Sequence, residues 1–199
     1  MSTLAMRLPA EAPGASWPSL HARLRHVTAD LHRRSEAALA LPTKLADLSG
    51  YVSLLNILWR FHSGCEIALR RCRAELPTSS LCLHKAEWIV EDLSCFDRLP
   101  SGDPIEIVVG GRCDMLGCLY VVEGSMLGGR YIGKQAARAL GVSRRFGGRF
   151  FDGYGAGMTE TWSAFIAGLN RIPALDPDAD RVEAASCRVF EIFISAASQ

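Results

Sequence analysis

The stretch LYVVEGSMLGGRYIGKQ, residues 119–135, is apolar at both ends and contains four glycines between them. Its apolar periodicity predicts a buried helix from about residue 113 to residue 140, with Gly141 as the C-terminal cap. A glycine in a helix interior costs about 1 kcal/mol relative to alanine. So many glycines in one helix therefore need a physical reason.

Gly117, Gly124 and Gly128 are spaced seven and four residues apart, which places them on one face of this helix. A face without side chains allows a neighbour to lie against bare backbone, and it predicts a bend near residues 124–129. Either another helix in close packing or a flat ligand would fit against this face. The glycines alone favour the helix.

The composition sets limits on the class of protein. The chain has 199 residues, of which 49% are hydrophobic, enough for one domain with a full core. The net charge of +1 gives no electrostatic case for binding nucleic acid or an anionic membrane. No apolar run reaches the ~18 residues of a membrane span, and the N-terminus lacks a signal-peptide pattern. We predict a cytoplasmic protein with a loose leader at residues 1–18 and a domain at 19–199.

The cysteines also favour a cytoplasmic protein. There are seven, an odd number, and no C-x-x-C motif occurs. We interpret them as reduced thiols that pack as small hydrophobic side chains.

The rest of the chain reads as helix, and the fold class that we predict is all-α with six to eight helices. The segment IEIVV, residues 105–109, is the one strand candidate. Prolines 42, 77 and 173 stop three of the helices. The predicted helices besides 113–140 are 19–41, 45–76, 80–99, 158–172 and 176–197.

The first helix carries a second candidate pattern, with Thr28, His32 and Glu36 four residues apart on one face. One histidine is a poor zinc site, but it suffices as the proximal ligand of haem iron. Glu36 could then hydrogen-bond the imidazole, and Arg25, two turns before His32, suits the anionic propionates. The alternative is an ordinary surface or core histidine, which is the commoner role for a histidine taken alone.

Together these segments resemble one family. LRHVTADLHRRSE, residues 24–36, resembles the L-[RK]-x-x-T-x-x-x-H-x-x-x-E opening of haem oxygenases. LYVVEGSMLGGRYI, residues 119–132, resembles the distal helix of the bacterial, biliverdin-producing members. YVSLLNILWRFHSGCE, residues 51–66, is similar to their second helix, and WSAFIAGLN, residues 162–170, to a weaker downstream segment.

The resemblance implies a helical bundle in which haem b is sandwiched between a proximal first helix and a kinked, glycine-rich distal helix. His32 would ligate the iron. The resemblance assigns the cofactor side to Arg25, Thr28, Glu36 and Tyr120, of which Arg25 and Tyr120 would contact propionates. It assigns the oxygen side to Gly124, Ser125, Gly128 and Gly129.

The implied activity is the cleavage of haem to biliverdin, CO and ferrous iron with O₂. Electrons would come from an external donor, a ferredoxin or a flavin reductase, because the chain has no nucleotide-binding fingerprint. The purpose would be iron release or the supply of bilin to a phytochrome.

Two other functions remain open. Ser125 stands where animal members have an aspartate, which motivates a haem-binding sensor or carrier without turnover. A haem-free helical protein would use the glycines for packing alone. Glu123, beside Gly124, could pair with an arginine of another helix or act in catalysis. The basic loop at residues 144–149 is a solvated turn by default, or a docking surface for an acidic electron donor.

Overall fold

The computed structural model describes residues 17–72 and 83–198. These residues form helices and loops without a β-strand, apart from isolated bridges at Ser143. The predicted all-α class is therefore confirmed. The helices are α1 (Leu20–Val27), α2 (Ala29–Leu39), α3 (Leu41–Lys44), α4 (Leu48–Arg71), α5 (Lys85–Ser94), α6 (Arg112–Leu140), α7 (Arg149–Asp152), a 3₁₀ turn (Gly155–Gly157), α8 (Met158–Leu169) and α9 (Pro177–Ala197).

Side-chain caps fix the starts of three helices. The Ser19 hydroxyl accepts the amide of Ala22 at 3.2 Å ahead of α1, and the Asp47 carboxylate accepts that of Gly50 at 2.8 Å ahead of α4. Asp176 caps α9 in the same way. Each cap satisfies an amide that has no partner inside its helix.

The predicted first helix, 19–41, is two helices in the structure. Thr28 lies between α1 and α2 with φ −93° and ψ 1°. The backbone hydrogen bonds continue across it, from the Thr28 amide to the Leu24 carbonyl at 2.9 Å and from the His32 amide to the Thr28 carbonyl at 2.8 Å. The break is therefore a local change of backbone angle at Thr28 that leaves these hydrogen bonds in place.

The predicted helices 45–76 and 80–99 correspond to α4 and α5, which are shorter. The predicted segments 73–76 and 80–82 lie outside the described ranges. Leader residues 1–16 also lie outside them. The strand candidate 105–109 forms neither a strand nor a helix in the structure. Instead, the Ile105 amide donates to the carbonyl of Arg60 on α4 at 2.9 Å.

Helix α6 runs as one helix through its glycines and ends at Gly141, whose φ of 71° is the left-handed cap that the sequence predicted. Hydrogen-bonded helix is continuous at residues 124–129, and the bend of its axis there stays a prediction. Helices α6 and α2, which carry the two sequence patterns, both pack against α9.

No helix of the described ranges is long and apolar enough to cross a membrane.

Candidate functional site

The helices that carry the two sequence patterns meet at Thr28 and Tyr120. Thr28 is buried at the junction of α1 and α2, and its hydroxyl donates to the Leu24 carbonyl at 2.7 Å. Tyr120 is buried on α6, where burial raises the pKa of its phenol, and the Thr28 hydroxyl and the Arg25 charge partly offset that rise. This contact joins the predicted proximal segment to the predicted distal helix.

The first two helices run parallel to α9, because Arg23 on α1 binds Asp180 and Arg34 on α2 binds Glu191. On α6, Gly117 lies against the turn of α9 at residues 182–186, and Tyr120 follows about one turn later. His32 lies four residues beyond Thr28 on α2, and Gly124 lies four residues beyond Tyr120 on α6.

His32 is on the open side of α2. Its side chain is 57% exposed, and its ring lies edge-on to Phe190 of α9 with 6.4 Å between centroids. The distance from His32 Nδ1 to Glu36 Oε1 is 3.6 Å, which is an ion-pair distance but too long for a hydrogen bond. The two side chains that the sequence placed on one face are thus neighbours, with the imidazole free to turn.

The glycine face of α6 divides into a packed part and an open part. A Cβ added to Gly117 would stand 2.5 Å from the Cβ of Ala185, so this glycine serves close packing with α9. An added Cβ at Gly128 would meet nothing within 4 Å, and one at Gly124 would meet only the tip of the Trp162 ring, at 3.6 Å. The sequence left either a helix or a flat ligand as the neighbour of this face. A helix covers the face at Gly117, whereas the backbone at Gly128 is uncovered.

Gly129 and Gly133 face the other way, toward Phe151. A Cβ added to Gly129 would lie 3.6 Å from the Phe151 ring, an ordinary contact, and one added to Gly133 would lie 2.8 Å from the Phe151 Cβ. Gly129, predicted on the oxygen side, is buried in the structure and contributes to the packing of α6 on the α7 segment.

Ser125 is exposed, and its hydroxyl donates to the Val122 carbonyl one turn earlier on the same helix, at 2.8 Å. The hydroxyl hydrogen is therefore engaged with α6 itself. A role in a hydrogen-bond network at this site would need the side chain to rotate.

Arg25 is exposed and makes no hydrogen bond or ion pair within residues 17–72 and 83–198. Close to it, the His21 ring lies edge-on to Trp162 at 5.8 Å and to Tyr120 at 6.4 Å. Burial, and then the Arg25 charge, lowers the pKa of His21. The site thus has one cation without a protein partner beside an aromatic wall.

The basic loop at residues 144–149 is well bonded. Arg144 pairs with Asp152, and Arg149 stacks 4.0 Å over the Trp88 ring. The carboxylate of Asp92 accepts the amides of Arg149 and Phe150 at 2.6 and 2.8 Å. These contacts explain the turn, and docking of an electron donor there stays a prediction.

Sequence reasoning missed three residues of this region. Trp162, which covers Gly124, stands in the quoted segment 162–170 but was given no role. The buried Lys85 and the half-buried Tyr154 both bond Glu123, which pairs with this lysine rather than with an arginine. A large aromatic in a family-like segment was a usable signal for Trp162, whereas nothing in the sequence singles out Lys85.

The likeness to two solved heme oxygenase structures defines the class of this protein as an all-α bundle of the haem oxygenase fold. The family model described as Heme oxygenase matches residues 110–199, which include α6. The predicted resemblance to the haem oxygenase family is thus confirmed. The segment with His32 lies outside that match.

Two solved structures are similar over most of the chain. The NO- and CO-bound heme oxygenase from Neisseria meningitidis superposes with a TM-score of 0.79 at 18% identity, covering 91% of each chain. The heme oxygenase from Leptospira interrogans superposes with a TM-score of 0.71 at 20% identity, covering 90% of this chain and 98% of its own. At these identities the likeness shows the fold. No curated protein matches this chain.

Proposed function

We propose that this protein is a haem oxygenase that converts haem to biliverdin, CO and ferrous iron, with O₂ and electrons from a separate donor protein. The family match and the fold support the general assignment to heme oxygenases. The products, the position of the haem and the residues that hold it are our proposal.

The observation that carries the proposal is the bare backbone at Gly128. An added Cβ there meets nothing within 4 Å, although Gly117 before it and Gly133 after it on α6 are tightly packed. Leu127 and Tyr131, its neighbours on the same helix, are exposed by 40% and 67%. A flat apolar ligand fits such a surface, because it can approach the backbone closely and cover exposed apolar side chains.

The facing helix offers what a haem needs on its other side. His32 is exposed, and an imidazole nitrogen is a sufficient proximal ligand for haem iron. Glu36 would orient the imidazole by accepting its second N–H once the 3.6 Å separation closes. Arg25, which has no anionic partner in the described chain, would bind a propionate, and the buried Tyr120 and Thr28 would form the floor between the two helices.

The oxygen chemistry and the electrons would come from the bound haem and a separate donor protein. Bound haem supplies the oxygen chemistry, while the protein controls access and orientation. Gly124 and Gly128 would leave room beside the backbone for a small diatomic molecule, and Ser125 would offer the hydroxyl nearest to that space. The chain has no nucleotide fingerprint, so a ferredoxin or a flavin reductase would donate the electrons. The odd cysteine count without C-x-x-C supports a cytoplasmic location.

One observation favours a second function, a haem sensor or carrier without turnover. Among the four residues predicted on the oxygen side, Ser125 alone has a polar side chain. Its hydroxyl donates to the Val122 carbonyl of its own helix, so its hydrogen is not available to bound oxygen. A carrier would need the same pocket and the same iron ligand.

Turnover in air separates these functions. Purified protein is loaded with one equivalent of ferric haem and reduced by a ferredoxin system, with catalase present to remove free peroxide. We expect the Soret band to disappear, bilin absorption to rise, and CO to form in an amount equal to the haem lost. A Soret band that persists under these conditions but is absent from His32→Ala would leave a carrier. If no Soret band forms, neither function stands.

A further inference from the structure

A buried charged network lies directly behind the open part of α6. Lys85, at the start of α5, is 0% exposed, and its Nζ donates to Glu123 Oε1 at 2.7 Å and to the Tyr154 hydroxyl at 3.1 Å. The Tyr154 hydroxyl in turn donates to the other carboxylate oxygen, Glu123 Oε2, at 3.0 Å. Both oxygens of Glu123, the residue next to Gly124, are therefore held by different parts of the chain.

The groups that hold Glu123 are themselves anchored. The buried carboxylate of Glu66 on α4 accepts the amides of Lys85 and Ala86 at 2.5 and 3.1 Å, which fixes the first turn of α5. The Tyr154 ring lies perpendicular to Trp88 of α5, with centroids 5.9 Å apart. The network thus connects α4 and α5 to α6 through directional bonds.

A buried ion pair is a poor device for stability, because the cost of removing both charges from water offsets most of their attraction. What such a network does provide is a defined geometry, since hydrogen bonds to a carboxylate tolerate little displacement. This matters on α6, where Gly124 and Gly128 have no side chains that could key the helix into a neighbour. The directional bonds of Glu123 therefore add a fixed register to the packing of Val122 and Met126, which are buried on the same stretch of α6.

We infer that Lys85, Glu123 and Tyr154 are positioning residues that hold the Gly124–Gly128 backbone at a fixed distance and rotation relative to the haem face. This inference rests on the proposed function, because the distance matters only if haem lies there. The network does not touch the reacting atoms. It sets the distance between the α6 backbone and the haem plane, and that distance would determine which meso carbon of the haem is attacked.

The test removes one hydroxyl. Tyr154→Phe keeps the ring against Trp88 and deletes the bonds of its hydroxyl to Lys85 and Glu123. Tyr51→Phe is the matched control, because the buried Tyr51 hydroxyl donates to the Gly147 carbonyl at 2.5 Å and is not bonded to α6. Glu123→Gln is the second variant, which retains shape but removes the charge, in case Tyr154→Phe does not fold.

Two readouts are needed, one without haem. In haem-free protein, we expect amide hydrogen exchange at residues 120–130 to become about tenfold faster in Tyr154→Phe and to stay unchanged there in Tyr51→Phe. In haem-loaded protein, we expect Tyr154→Phe to change the ratio of biliverdin isomers, while Tyr51→Phe retains the wild-type ratio.

The outcomes are separable. Unchanged exchange at residues 120–130 in both Tyr154→Phe and Glu123→Gln overturns the inference, and so does faster exchange spread evenly over all helices. Faster local exchange with an unchanged isomer ratio also overturns it, because α6 would then be loosened without consequence for the haem. If wild-type protein binds no haem, the proposed function fails and the positioning role fails with it, even though local exchange would still report that the network holds α6.

Discussion

The Cα of Gly117 lies so close to α9 that a methyl group added to it would stand 2.5 Å from the Cβ of Ala185 and 2.8 Å from the amide nitrogen of Ser186. Eleven residues further along the same face, Gly128 has no heavy atom within 4 Å of an added Cβ. One helix thus contains glycines with opposite requirements: one is needed for the fold, and the other leaves a surface open.

This contrast predicts opposite effects of the same substitution. Gly128→Ala should raise the free energy of unfolding by up to ~1 kcal/mol, because alanine is the better helix former and nothing opposes its methyl group. It should weaken haem binding about tenfold, because the methyl group enters the space that the ligand needs. Urea denaturation of the haem-free protein and a Soret titration measure the two effects.

Gly117→Ala is the control, and it should lower the free energy of unfolding by about 1–3 kcal/mol, since α6 and α9 must separate to admit the methyl group. Once folded, it should bind haem with nearly wild-type affinity. A Gly128→Ala protein with unchanged haem affinity would show that the ligand does not lie against this backbone.

Arg25 provides a second test. Arg25→Ala should weaken haem binding about two- to fivefold at low salt, the range expected for a partly exposed pair with a propionate. The difference from wild type should shrink at high salt, where the pair is screened. Arg33→Ala, an exposed arginine on α2 that already pairs with Asp30, should leave affinity unchanged. Equal effects of the two substitutions at every salt concentration would argue against a propionate contact for Arg25.

His62 predicts a pH effect on stability. Its ring is buried beside Phe61 and Phe150, and its Nδ1 has no hydrogen-bond partner in the described chain. Burial, followed by the Lys85 charge, lowers the pKa of His62 to about 3. The unfolded chain therefore takes up a proton on this ring below pH ~6.5 while the folded chain does not, so stability falls as the pH decreases from 6.5 toward 3.

His62→Leu removes both costs. We expect it to raise the free energy of unfolding by about 1 kcal/mol at pH 7, from the loss of an unpaired polar atom, and by a further ~2 kcal/mol at pH 5. Chemical denaturation at the two pH values measures the difference from wild type. A His62→Leu difference from wild type that does not grow toward pH 5 would contradict this explanation.

Much of the architecture was predictable because local signals suffice for it. The apolar periodicity of residues 113–140 and the glycine at 141 define α6 almost to the residue. The sequence does not predict the break at Thr28, because the apolar pattern continues across it. In the structure, backbone hydrogen bonds also continue across it. Only a backbone angle changes there, and no residue type in the segment demands it.

The contacts around the candidate site were less predictable than the helices. Spacing along α6 places Gly117 and Gly128 on one face, yet it cannot say that α9 covers the first and leaves the second open. The sequence left Glu123 either a helix-pairing role with an arginine or a catalytic role, whereas its partner in the structure is Lys85 of α5, which packs on α4. Contacts of this kind depend on residues distant in sequence, and a single chain gives no local signal for them.

We propose that haem binds through His32 on the face opposite Gly128, and the optical spectrum of the ferric haem complex of His32→Ala, before and after adding imidazole, tests this binding. His84→Ala is the control, because His84 is equally exposed and also lies beside a glutamate, with Nδ1 3.0 Å from Glu87 Oε1. We predict that His32→Ala loses the Soret band of the histidine-ligated complex, that imidazole restores it, and that His84→Ala retains it throughout. A wild-type spectrum in His32→Ala without imidazole would contradict the account, because the iron would then be bound by another residue.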